Sequence, residues 1–99
     1  MAKMSVSEFR RFLRGVLHTP KGELFRLDRE IEKMGLDTFE VESTGLPRKN
    51  EEYYGVRVLA LTYHWDHNRG LYRAYVMGHR LATGEATVLP WKHLVKGRT

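Results

Sequence analysis

Apolar positions recur first with the period of a helix and then with the period of a strand. Val6, Phe9, Leu13, Val16 and Leu17, with Phe12 beside them, follow helical spacing through "SVSEFRRFLRGVLH". Ser5, followed three residues later by Glu8, makes a capping box at its start. A second stripe, Leu24, Leu27, Ile31 and Met34, predicts another helix in "TPKGELFRLDREIEKMG". Thr19 is read as its N-cap, Pro20 as its first helical position and Gly35 as the residue past its end. From Leu36 onward the period falls to two. Phe39 and Val41 alternate with Glu40 and Glu42, as in a half-buried strand. Gly45, Pro47 and Asn50 mark "TGLPRKNEE" as a loop. "YGVRVLALTYHWD", "LYRAYVMGHRL" and "ATVLPW" are rich in strand formers, with turn-like "HNRG" and "ATGE" between them. Pro90 restricts the last of these to an edge or a bulge, and "KHLVKGRT" reads as a basic tail.

Helices followed by strands imply an α+β fold. The expected architecture is two N-terminal helices packed on a curled antiparallel meander of about four strands. It forms one domain over residues 1–99, with a helical part at 5–35, a β part at 36–95 and a basic tail at 96–99. A four-residue loop at His67–Gly70 sets Asp66 opposite Leu71, His64 opposite Arg73 and Tyr63 opposite Ala74. A second loop at Ala82–Glu85 sets Leu81 opposite Ala86 and Val76 opposite Trp91. Directly paired residues share a sheet face. One face then carries Leu59, Leu61, Tyr63, Trp65, Tyr72, Ala74, Val76, Leu89 and Trp91, and should meet the helices. The other carries Val56, Val58, Thr62, His64, Arg73, Tyr75, Met77, His79, Val88 and Lys92. A second face that is part apolar, part basic and aromatic predicts a curled sheet, a partial barrel or a binding surface. "YRAYV" (Tyr72 to Val76) resembles a strand of Tudor and other SH3-like barrels, which implies strands that curl toward a partial SH3-like barrel. The aspartate-tyrosine-glycine turn of that family is missing, and no methyl-lysine cage is inferred. "RGLYRAYVMG" resembles the first RNP motif of RNA-recognition domains. Leu71 and Arg73 interrupt it and the βαβ frame is missing, so that domain is not inferred.

Charge changes the picture more than length does. The 99 residues carry 17 Lys and Arg against 12 Asp and Glu, a formal charge of +5. Residues 1–22 hold five bases against Glu8 alone, residues 23–54 nine acids against five bases, and residues 55–99 seven bases against two acids. Basic ends around an acidic middle point first to polyanionic partners. No cysteine is present, which excludes disulfides and thiolate metal sites. No apolar run approaches the roughly 20 residues of a membrane span. "MAKMSVSEFRRF" lacks the apolar stretch of a signal peptide, so a cytoplasmic location and no membrane partner are expected.

The densest chemistry is "HWDHN", where His64, Asp66 and His67 fall close together. A zinc site needs about four ligands. His79 falls near Val58, about 20 Å from His64 at ~3.3 Å per residue, and His93 lies on the other face. No HExxH pair, Gly-x-Ser-x-Gly elbow or glycine-rich phosphate loop occurs. The segment is therefore expected to be a polar hairpin tip, and the protein to be non-enzymatic, without metal or cofactor. Lys and Arg supply phosphate contacts, and aromatic rings supply stacking surfaces for unpaired bases. Arg73 and Tyr75, flanked by His64 and Lys92, combine the two on the second face. Arg10, Arg11, Arg14 and Lys21 form a helical footprint, Arg69 extends the hairpin tip, and Lys92, Lys96 and Arg98 form a basic arm. The expected role is binding of single-stranded RNA or DNA. The alternative is a protein-interaction module, such as a small inhibitor or adaptor subunit, meeting an acidic surface through its basic face or a basic one through Asp37–Glu52.

Overall fold

The structure is a computed structural model that describes residues 2–15 and 19–97, the last three by backbone alone. Val16, Leu17, His18, Arg98 and the Lys96 side chain therefore lie outside the described residues. The order is strand β1 (Ala2–Ser5), helix α1 (Val6–Gly15), helix α2 (Lys21–Met34), and strands β2 (Thr38–Val41), β3 (Glu52–Tyr53), β4 (Val56–Asp66), β5 (Leu71–Arg80) and β6 (Ala86–Pro90). Helix α3 (Trp91–Gly97) follows. The α+β class is as the periodicity predicted. Three elements were not. Glu52–Tyr53 is a short strand at the end of the segment read as a loop. "AKMS" is a strand ahead of the helices, and the segment read as strand end and basic tail from Trp91 is helical.

The predicted capping box is present. The Ser5 amide donates to Glu8 Oε1 at 3.1 Å, and the Glu8 amide donates to Ser5 Oγ at 3.2 Å. Helix α2 starts one residue later than expected, with Pro20 in the cap position and no side-chain cap; the Thr19 hydroxyl has no hydrogen-bond partner among the described residues. Gly35 ends the helix with φ 63°, a conformation that glycine adopts without steric cost.

The strands form one six-stranded mixed sheet in the order β1-β2-β5-β4-β3, with β6 also on β5. Strand β5 explains the shape. One edge pairs with β4 along its length. The other is shared end to end, by β2 in parallel at Leu71–Tyr72 and by β6 antiparallel at Tyr75–His79. The sheet is open rather than closed into an SH3-like barrel: its path ends on β1 at one side and β3 at the other, and these two do not pair.

The β4–β5 register is the predicted one, His64 opposite Arg73 and Tyr63 opposite Ala74, as far as Ala60 opposite Met77. A bulge between Val58 and Ala60 then adds a residue. It reverses the alternation below it, so Val56 and Val58 are buried with Leu61 and Tyr63 instead of lying on the second face. The β5–β6 connection is Leu81–Glu85, and Val76 lies opposite Leu89 rather than Trp91. The slip is two residues, so the faces are kept. Trp91 leaves the sheet, packs edge-on against Tyr53 at 4.8 Å and donates from Nε1 to the Gly45 carbonyl at 3.1 Å.

The core lies on one face. Phe9 is its hub, with ring centroids 5.2 Å from Phe39, 5.5 Å from Tyr63 and 5.0 Å from Tyr72. Leu13, Leu27 and Ile31 from the helices, with Trp91 and Leu94 from α3, complete it. A polar seam fills the gap on β5 between β2 and β6. There Glu42, buried although the alternation placed it outside, accepts the Ala74 amide on Oε1 at 2.9 Å. Its own carbonyl accepts the Tyr63 hydroxyl at 2.6 Å.

Candidate nucleic-acid interface

The "HWDHN" segment forms a hairpin tip. Asp66 Oδ1 accepts the amides of Asn68 and Arg69 at 3.0 and 3.1 Å, and the Asp66 carbonyl accepts the Gly70 amide at 2.8 Å. Gly70 adopts φ 67° to close the turn. The carboxylate of Asp66 thus holds the loop, as aspartate does in Asx-type turns. His67, Asn68 and Arg69 are exposed. Among the described residues no group of three or more His, Asp or Glu side chains is placed to hold a metal ion.

On the second face of the sheet, His64 and Tyr75 meet edge to face at 4.6 Å across the strand pair, and His64 pairs directly with Arg73. Arg73 Nη1 lies 3.8 Å from Asp66 Oδ2, and its Nε is buried without a hydrogen-bond partner among the described residues. Burial pushes the His64 pKa down and the nearby Arg26 charge adds to this, while Glu23 and Glu30 act against it. Below its ordinary value, the imidazole is neutral at pH 7 and offers a ring rather than a charge. Farther along the same face Leu59, Ala60, Met77, His79 and Val88 line a shallow apolar groove of about 360 Å³. Leu59 stands there because the bulge turns it away from the core.

Helix α2 closes over the β4 edge next to this face. Past Val58 no strand among the described residues lies beside that edge, since β3 pairs with Val56 and Arg57. Arg26 covers it, donating to Thr62 Oγ1 and the Tyr63 carbonyl and bridging Glu23 and Glu30 at 3.3 and 3.4 Å. The Thr62 hydroxyl donates to Glu23, and the Tyr72 hydroxyl donates to Glu30 at 2.8 Å. Burial pushes the Glu23 pKa up, but hydrogen bonds from Thr62 and Arg26, with the Arg26 charge, outweigh it and hold the carboxyl below its usual range. Burial, then the bond to Glu30, pushes the Tyr72 hydroxyl upward, so it remains a donor. In the sequence these α2 charges read as a solvated i, i+3 and i, i+4 mixture. Nothing in the spacing shows which strand edge they meet.

The remaining predicted contacts are dispersed. Arg10 Nε and Arg14 Nη2 converge on the Asp28 carboxylate at 2.8 and 3.1 Å. Arg11 points elsewhere, into a groove of about 350 Å³ with Met4, Glu8 and Phe12. Lys21 is exposed at the start of α2. Lys92 Nζ lies 3.4 Å from Glu42 Oε2, over the polar seam. The structure brings together His64, Arg73 and Tyr75, and separates them from the helical footprint. No helix among the described residues is long and apolar enough to cross a membrane. Comparison with family models, curated proteins and solved structures finds no match to this chain.

Proposed function

We propose that the protein is a non-enzymatic binding protein that takes single-stranded nucleic acid on the second face of its sheet. The observation that carries this reading is one-sided packing. Phe9, Leu13, Leu27, Ile31, Trp91 and Leu94 all join a core on one face, and the cluster of His64, Arg73 and Tyr75 stands on the other. Half-buried rings on a sheet offer π-faces to unpaired bases, and a guanidinium beside them meets the phosphates. Neutral His64 suits stacking, which leaves Arg73 and exposed Arg69 as the cations.

The test is fluorescence anisotropy with labelled single-stranded oligonucleotides at two salt concentrations. Binding should weaken steeply with salt, because each phosphate contact releases condensed counterions. The Arg73→Ala/Tyr75→Ala variant should bind at least tenfold more weakly, by loss of one stacking partner and one charge, while its circular dichroism matches that of the wild type. Unchanged affinity clears this face.

The apolar groove of Leu59, Met77 and Val88 favours a second reading, a protein-interaction module. Absence of oligonucleotide binding at low salt puts that reading first.

A further inference from the structure

Helix α2 turns its outermost side, opposite Leu27 and Ile31, to solvent. Gly22, Phe25, Arg29 and Lys33 follow one another there at spacings of three and four. Phe25 is 64% exposed, with the Arg29 guanidinium carbon 5.8 Å from its ring centroid. With Arg26 and Glu30 these residues line an open groove of about 490 Å³. Three of the four acids of α2 are engaged elsewhere, and the fourth, Glu32, is exposed three residues after Arg29. Glu23 is bound by Thr62 and Arg26, Glu30 by Arg26 and Tyr72, and Asp28 by Arg10 and Arg14. Arg29 and Lys33 have no ion-pair partner among the described residues. Gly22 is not required by packing, since a Cβ there meets no atom within 4 Å, yet glycine is the least favourable helical residue after proline. An exposed phenylalanine and an unneeded glycine both work against a stable, soluble helix. A flat ring lying on Phe25, over a floor kept open by Gly22, accounts for both.

We infer that this groove is a second contact region for the same single strand, in which one base stacks on Phe25 and the adjoining phosphates meet Arg29 and Lys33. The inference rests on the single-strand reading above. Arg26 connects the two regions: it lines the groove, donates to Thr62 and Tyr63 on β4, and its charge acts on His64. An acidic peptide satisfies the two cations but leaves the exposed ring of Phe25 with no planar neighbour beyond Arg29, so charge and ring together favour a nucleotide strand.

The experiment measures anisotropy of a labelled oligothymidine of about 12 nucleotides, at low salt, against four variants. Phe25→Ala should weaken binding roughly five- to hundredfold, the range that alanine substitution gives for one stacked base. Gly22→Leu fills the groove and should weaken binding while the thermal midpoint stays at or above that of the wild type. Arg29→Ala/Lys33→Ala should flatten the slope of log affinity against log salt by about 1 to 2. If these three variants bind as the wild type does, the groove is not used, and a loss with Arg73→Ala/Tyr75→Ala in the same assay leaves the sheet-face reading standing. Loss confined to the groove variants removes the sheet face and keeps the groove. Failure of the wild type to bind overturns both. Equal competition by polyglutamate of matched charge overturns the stacking contact.

Discussion

Gly78→Ala tests the register of the sheet most directly. Gly78 lies on β5 opposite Val58, beside the bulge. A Cβ at that position would stand 2.1 Å from the Arg57 carbonyl oxygen, 3.1 Å from its carbon and 3.3 Å from Val56 Cγ1. The first approach is shorter than real Cβ contacts, and the obstacle is backbone, so no side-chain rotation relieves it. Arg57 pairs with both His79 and Glu52, and Val58 exchanges backbone hydrogen bonds with Asn50 and Glu51. A retreat of the carbonyl by about 1 Å therefore disturbs two strand pairs. Overpacking costs about 1–3 kcal/mol, and one or two weakened ladder bonds add about 1 kcal/mol each. Reduced freedom of the unfolded chain returns about 0.4–1 kcal/mol. The net expectation is about 3 kcal/mol. At roughly 4–8 °C per kcal/mol for a domain of this size, the thermal midpoint falls by about 12–24 °C. Urea denaturation followed by circular dichroism measures the loss. Gly22→Ala serves as the control, since its Cβ meets nothing; it should leave stability unchanged or raise it by up to about 1 kcal/mol. A Gly78→Ala protein within about 0.5 kcal/mol of the wild type, the ordinary range for surface substitutions, would refute the close approach and with it the bulge that places Val56 and Val58 in the core.

Two further predictions concern the polar groups packed against the sheet. Glu42→Ala strips the buried Ala74 amide of its acceptor and should cost about 2 kcal/mol in urea denaturation. Glu42→Gln keeps an amide oxygen for Ala74 and loses only the ion pair to half-exposed Lys92, so it should cost under about 1 kcal/mol; equal losses would show that the pair, not the amide, matters. His64 governs the response to mild acid. Its folded pKa lies below the ordinary 6.5, so the unfolded chain takes up the proton first. Stability should be full above about pH 6.5 and decline as the pH falls from there toward the folded value. His64→Gln should flatten that decline in denaturation curves between pH 7 and 5.5, and an unchanged slope would assign the proton uptake to another group. Glu23, held below its usual range, adds a second loss only under pH 4.5.

What could be read from the sequence was local. Ser5 and Glu8 announce a capping box, Gly35 a helix end, and Asp66 with Gly70 a four-residue hairpin, and each depends on neighbours within a few positions. What could not be read depends on distant partners. "AKMS" is a strand only because β2 lies beside it, across two intervening helices. The Leu59 bulge has no signal within β4; its counterpart is Gly78, nineteen residues on in the facing strand. Trp91 matched strand alternation as well as a helix start, and the Gly45 carbonyl and Tyr53 ring that receive it lie some forty residues earlier. Of the candidate site, the pairing of His64 with Arg73 followed from the hairpin, because a tight turn fixes register. The α2 groove did not, because only the folded chain shows which of its acids are already occupied.

That last point alters the charge argument itself. A linear map sets basic ends against an acidic middle, and a polyanion is then expected at the ends. Folding brings the ends onto the middle. Arg10 and Arg14 from the first basic segment are held by Asp28, and Lys92 from the last by Glu42. A cation already paired at such distances has less counterion release to gain from a phosphate than a free one. The acidic segment meanwhile spends Glu23, Asp28 and Glu30 on hydroxyls and guanidinium groups, and leaves its own Arg29 and Lys33, with Glu32 as the one exposed acid of the same helix, beside an exposed ring. The positive surface best suited to a nucleic-acid strand therefore includes cations from the part of the chain with the most acids. Segment totals locate charge along the polypeptide, whereas binding responds to which charges remain unpaired after packing.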